Sequence, residues 1–130
     1  TLNPIDLDPV EALRDLTGGE GVDMTLDATG IPEVRNQAVD SAKYWGKVCL
    51  VGEGNTTTFD ISPQIIHKQL TILGSWTFSQ SGLSEVAQFV VERKSPMDRL
   101  ITHTFDISQA QEAYDLFVSG DTGKVILTID

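Results

Sequence analysis

Apolar residues along the chain fall into short runs separated by polar, glycine-bearing turns. Val22–Asp27 reads as a strand that ends in Ala28-Thr29-Gly30. Pro32 then opens a predicted helix, a place where its missing N–H has no helical partner to lose. Ile31, Val34, Ala38, Ala42 and Trp45 recur at intervals of three and four and make one face of that helix. Gly46 is the residue expected to stop it. Val48–Val51 is wholly apolar, the pattern of a strand covered on both faces, and Gly52-Glu53-Gly54 ends it. Leu70–Leu73 is a further short strand, closed by Gly74-Ser75-Trp76. Strands alternating with helices predict an α/β chain with a parallel sheet. Right-handed crossovers then bring all these strand ends to one rim, where open α/β sheets bind ligands.

The flanking segments are read the same way. Asp8-Pro9-Val10-Glu11 is a helix start in which Asp8 accepts from the first turn and Glu11 reaches back to the cap. Val10, Leu13 and Leu16 are its expected buried stripe. Gly18-Gly19-Glu20-Gly21 precedes a strand, so it stops a helix rather than cradling a phosphate. Ser62-Pro63 opens a short helix through Gln69, with Ile65 and Ile66 inward. The rhythm breaks near Phe78–Gly82. A helix over Leu83–Lys94 follows, then a strand over Leu100–Phe105, a helix capped by Ser108 with Gln111 completing a capping box, and a strand over Lys124–Ile129.

Composition narrows the function. The 130 residues carry a formal net charge of −10, which argues against nucleic acid and anionic membranes as partners. Cys49 is the single cysteine, so neither an intramolecular disulfide nor a cysteine–histidine metal cluster is expected. No apolar run approaches the roughly 18 residues of a membrane span, and no signal peptide opens the chain, so a cytoplasmic location is expected. The chain starts at Thr1 rather than at a methionine, which fits a processed chain or a fragment. His67 and His103 have no nucleophile or carboxylate motif beside them, and no GxSxG or HExxH is present. Asp27 sits at the rim either as a turn former or as a ligand contact. Taken alone, Lys124 is a surface lysine.

In their order along the chain, Gly18–Gly30 (GGEGVDMTLDATG), Gly46–Gly54 (GKVCLVGEG), Leu73–Trp76 (LGSW), Leu100–Phe105 (LITHTF) with Glu112-Ala113-Tyr114, and Gly123–Leu127 (GKVIL) resemble the C-terminal part of medium-chain, usually zinc-dependent, alcohol dehydrogenases. The resemblance implies a partial Rossmann-type parallel sheet with flanking helices. Residues 1–77 would be the C-terminal part of the dinucleotide-binding domain, and residues 78–130 a segment returning to the catalytic domain. It implies NAD or NADP as cofactor, an alcohol or carbonyl substrate, and zinc in the parent enzyme with no ligands in this chain. Ala28, Thr29 and Gly30 take the place of the turn against the adenosine half. Val51, Gly52 and Glu53 take that of the turn beside the nicotinamide, and Ser75 and Thr77 that of the backbone positions that bond its carboxamide. Lys124 takes that of a basic residue reaching the pyrophosphate side. No catalytic residue is assigned.

In family members the GxGxxG turn, the acidic residue that selects NAD, and the zinc ligands lie upstream of the position of Thr1, so the isolated chain is expected to be inactive. Two alternatives stand beside this reading. One is a zinc-free quinone-reductase-type oxidoreductase of the same superfamily. The other is a non-catalytic α/β binding or dimerisation module that self-associates through the strand Leu70–Ser75.

Overall fold

A computed structural model describes residues 1–77 and 79–129. Phe78, near which the sequence changes rhythm, lies outside the described residues. The chain divides into two compact units, Thr1–Thr77 and Phe78–Asp130.

In the first unit, helix α1 (Pro9–Leu16) leads to strand β1 (Val22–Asp27), helix α2 (Pro32–Ser41), strand β2 (Ala42–Leu50), a π-helical turn at Ile61–Ile66 and strand β3 (Thr71–Gly74). The sheet order is β1-β2-β3 and both pairings are parallel. Asp27 lies opposite Leu50, and Leu50 opposite Gly74, so the three strands finish level with one another. The ladder runs one step further, with Ser75 N–H donating to Leu50 O at 3.0 Å. Val39 from α2 and Ala42 and Val48 from β2 form the buried core, packed by Ala38, Leu50, Phe59, Ile65 and Leu70. Each fully buried valine contributes roughly 2 kcal/mol.

The start of α1 is as the sequence predicts. The Asp8 carboxylate accepts from Val10 N–H at 2.8 Å and Glu11 N–H at 3.1 Å. Glu11 does not reach back to the cap; it pairs with Arg14 at 3.0 Å. Leu16 is exposed rather than part of a buried stripe.

Helix α2 ends at Ser41, earlier than its apolar spacing predicts. Ala42 is extended, with φ −70° and ψ 135°, and enters the core as the first residue of β2. The Lys68 ammonium donates to the carbonyls of Val39 at 2.8 Å and Asp40 at 3.0 Å and so closes the helix from outside. Trp45, expected on the helix face, is exposed and takes φ +64°, the conformation expected of Gly46. Gly46 is needed for closeness instead: a Cβ there would lie 2.8 Å from Lys43 O. Between Val22 and Met24 the register jumps from Ala42 to Lys47, so β2 bulges where helix gives way to strand. The helix expected over 62–69 is a shorter, wider turn, with His67 N–H reaching Ser62 O at 2.9 Å.

The second unit holds helix α3 (Gln80–Arg93), a 3₁₀ turn at Met97–Leu100, strand β4 (Ile101–Asp106), a 3₁₀ turn at Ile107–Gln109, helix α4 (Ala110–Val118) and strand β5 (Lys124–Thr128). Strands β4 and β5 pair in parallel. The Ser79 hydroxyl caps α3 by accepting from Gly82 N–H at 3.0 Å. The capping box belongs to Asp106 and Gln109, not to Ser108 and Gln111. Asp106 accepts from Ser108 N–H at 2.9 Å, while Gln111 donates to Asp115 at 2.9 Å. Among the described residues no helix is long and apolar enough to cross a membrane.

Candidate functional site

The rim at the ends of β1, β2 and β3 is built around Asp27. Its side chain is fully buried. Oδ1 accepts from the Thr29 N–H at 2.9 Å and the Thr29 hydroxyl at 2.6 Å, and Oδ2 accepts from the Gly30 N–H at 3.2 Å. Arg35 Nε lies 3.5 Å from Oδ2. Burial alone would raise the carboxyl's pKa. The donors from Thr29 and Gly30 and the charge of Arg35 outweigh it and hold the group below its ordinary 3.8. Asp27 is thus the turn former of the two readings, since both oxygens are spent inside the protein. Its main-chain carbonyl accepts from Val51 N–H at 2.8 Å and Gly52 N–H at 3.0 Å, which ties the second turn to the first.

The two turns meet backbone against backbone. A Cβ at Gly52 would overlap Gly30 N and come within 2.7 Å of Thr29 N. One at Gly30 would overlap Glu53 O, and Gly30 also needs φ +72°. Asn55 crosses from the second turn and donates its amide to Gly30 O at 3.1 Å.

Arg35 completes the arrangement, and no motif singles it out. Its Nη2 donates to Gly52 O at 2.7 Å and Gly54 O at 2.8 Å. Its Nη1 donates to Thr57 Oγ1 at 3.0 Å and Asn55 O at 3.2 Å. One signal was available. Arg35 is the sole cation of α2 and stands near its N-terminus, where the helix dipole disfavours positive charge. Such a placement asks for acceptors close by.

The first-unit site residues predicted from sequence all lie past the strand ends. Ala28, Thr29, Val51, Glu53, Ser75 and Thr77 are exposed there, Gly52 is half-buried between the turns, and Gly30 is buried. Lys124 belongs to the second unit, where it opens β5 opposite Ile101 and lines a cavity of about 490 Å³ with Tyr114, Phe117 and Leu127. His67 is exposed. His103 Nδ1 lies 2.9 Å from Thr102 Oγ1, and its ring stacks on Phe105. Among the described residues no three His, Cys, Asp or Glu side chains gather in a group that could hold a metal ion. The rim therefore offers main-chain groups and small side chains suited to binding, and the donor set does not suit zinc.

Residues 1–92 match a family model described as zinc-binding dehydrogenase. The chain is 35% identical over 117 residues to an uncharacterised zinc-type alcohol dehydrogenase-like protein of Escherichia coli, covering 90% of this chain and 33% of that protein. It is 31% identical over 131 residues to an L-threonine 3-dehydrogenase of Pyrococcus horikoshii, covering 98% and 38%. A solved benzyl alcohol dehydrogenase of Acinetobacter calcoaceticus superposes with a TM-score of 0.82 at 29% identity, over 98% of this chain and 36% of that one. An alcohol dehydrogenase of Thermotoga maritima superposes at 0.88 with 24% identity, over 100% and 37%, a likeness that speaks for the Rossmann-type fold alone. The chain spans about a third of the length of the relatives it matches.

Proposed function

The chain belongs to the zinc-binding dehydrogenase family, and from that premise we propose that its strand-end rim holds part of a nicotinamide dinucleotide, NAD or NADP, in a longer protein that transfers a hydride between an alcohol and that cofactor. In this reading β1, β2 and β3 are the fourth, fifth and sixth strands of the dinucleotide-binding sheet. The second unit is the segment that returns to the catalytic domain. Ala28, Thr29 and Gly30 pack against the adenosine half. Val51, Gly52 and Glu53 stand beside the nicotinamide, and Ser75 and Thr77 bond its carboxamide through the backbone.

One observation carries the reading. Three parallel strands finish level at one rim, and the first two turns are locked through Gly30 and Gly52. Small residues let a cofactor approach the main chain closely. In the reaction the alcohol carbon gives up a hydride and its oxygen a proton. The residues of this chain bind and orient, and act on neither. Zinc, where a family member uses it, acts as a Lewis acid on the oxygen; no step is assigned to it here.

Amide NMR of the chain, titrated with NAD⁺ and separately with NADP⁺, tests the proposal. Weak binding is expected, with shifts confined to residues 28–30, 51–53 and 75–77, and no turnover of alcohol by the 130-residue polypeptide. Shifts centred on residues 43–45 at the other end of the sheet, or no shifts at all, would sink it.

A second reading concerns association. Strand β3 has one neighbour in the sheet and all its residues are exposed. An edge of this kind pairs readily with another strand, and a second copy of the chain is its proposed partner.

A further inference from the structure

The turn after β2 has an unusual orientation of its peptides. The carbonyls of Gly52, Gly54 and Asn55 all face one guanidinium. A regular strand alternates its carbonyls from side to side, so a run of this kind forms only where the backbone is bent, here at Gly54 with φ +84° and Asn55 with φ +59°. Asparagine takes this left-handed conformation more readily than other residues with a side chain, and its surroundings hold it there. The surroundings are Arg35, whose side chain is 11% exposed, and the Asn55 amide bonded to Gly30 O.

We infer that Arg35 is a positioning residue: its guanidinium sets the orientation of the peptides from Gly52 to Asn55 and so the face that this turn presents at the rim. The inference rests on the reading of that rim as a dinucleotide site. In a planar trans peptide the carbonyl and the following N–H point in opposite directions. Drawing the three carbonyls inward therefore turns the N–H groups of Glu53, Asn55 and Thr56 away from Arg35. None of these three donates to another described residue. They are left for solvent or for the acceptors of a ligand.

The geometry suits arginine and not lysine. Nη1 and Nη2 address four acceptors while Nε stays beside the Asp27 carboxylate, so one planar fork serves both turns at once. An ammonium is a single point on a flexible stem. It would keep the charge beside Asp27 or reach some of the carbonyls, without holding them in one orientation.

The experiment compares the full chain with its R35K and R35Q variants by ¹⁵N relaxation, followed by titration with NAD⁺ and with AMP. In the parent chain the amides of residues 52–56 should be as ordered as those of Val48 and Cys49, with order parameters of about 0.85. In both variants they should fall below about 0.6 while Val48 and Cys49 hold. NAD⁺ binding should weaken by about fivefold or more, and in R35K, which keeps a positive charge beside Asp27, AMP binding at residues 28–30 should change by less than about twofold. Unchanged order at residues 52–56 overturns the inference. So does an equal weakening of AMP and NAD⁺, or a loss of order at Val48 and Cys49, either of which makes Arg35 a general structural residue. If NAD⁺ fails to shift the parent chain, the dinucleotide reading of the rim falls, while lost order in the variants still assigns the turn's orientation to Arg35.

Discussion

The Thr29 hydroxyl donates to Asp27 Oδ1 at 2.6 Å, the shortest of the three hydrogen bonds that carboxylate receives. A buried carboxylate with that many donors is held ionised, and its pKa in the folded chain lies below the ordinary 3.8. The sign of the pH dependence follows. A depressed folded-state value contributes stability in full above the ordinary value and loses it as pH falls through the folded one. Urea unfolding measured at a series of pH values should show stability dropping below about pH 4. Asp27→Asn should flatten part of that drop. At neutral pH it should cost about 1–3 kcal/mol, because an amide turns a donor toward Gly30 N–H and Arg35. An unchanged acid limb in the Asn variant would remove Asp27 from the account.

Gly52 and Gly74 make a matched pair, since neither has a positive φ. A Cβ at Gly52 strikes the backbone of Thr29 and Gly30, which has no side-chain freedom with which to yield. A Cβ at Gly74 meets nothing within 4 Å. Gly52→Ala should therefore destabilise the chain by about 1–3 kcal/mol through overpacking. Gly74→Ala should stay within about 0.5 kcal/mol of the parent. Thermal or urea unfolding of the two variants side by side checks both, and a neutral Gly52→Ala would mean the two turns are not locked together.

Lys68 tests what ends α2. Burial lowers its pKa, opposed by Asp40 and assisted by Arg14, so the ammonium is not there for its own benefit. Its return lies in the carbonyls of Val39 and Asp40. Lys68→Met removes the desolvation cost but leaves two helix-end acceptors unpaired. The net effect should be a loss of about 1–2 kcal/mol, read from denaturant midpoints. It should be accompanied by faster amide exchange in the last turn of α2. A stabilised Met variant would show that burial of the ammonium outweighs its hydrogen bonds.

These positions also show what local sequence carries and what it does not. The bounds of β1 and the rim itself are legible because β1 and β2 each end in a turn whose glycine is demanded there, Gly30 by φ and Gly52 by contact. The end of α2 is not legible, because Ala42 and Trp45 continue the helical spacing by coincidence. What stops the helix is Lys68, a residue 28 and 29 positions further on from the carbonyls it bonds. The capping box after β4 could be drawn with either of two three-residue spacings. Pairing with β5 carries the strand as far as Asp106, which selects the earlier one. Arg35 shows in the sequence only as a cation near a helix N-terminus, because its carbonyl partners lie 17 to 20 residues away in the loop after β2.

The last prediction concerns the free edge of β3. Thr71, Ile72, Leu73 and Gly74 are all exposed, and among the described residues the strand has β2 on one side only. Its unpaired main-chain groups and the half-exposed Leu73, at 47%, are the features that invite a second strand. A second copy brings the same acidic surface, since each chain carries a net charge of −10, so pairing has to overcome repulsion that salt screens. Light scattering should therefore show a dimer whose population rises with ionic strength. Leu73→Lys places a charged side chain on the edge, the device by which natural sheets discourage such pairing. It should shift the native mass toward the monomer, while Leu73→Val should leave the dimer intact. A parent chain that stays monomeric at high salt, or a Lys variant that dimerises as well as the parent, would take β3 out of consideration as the contact.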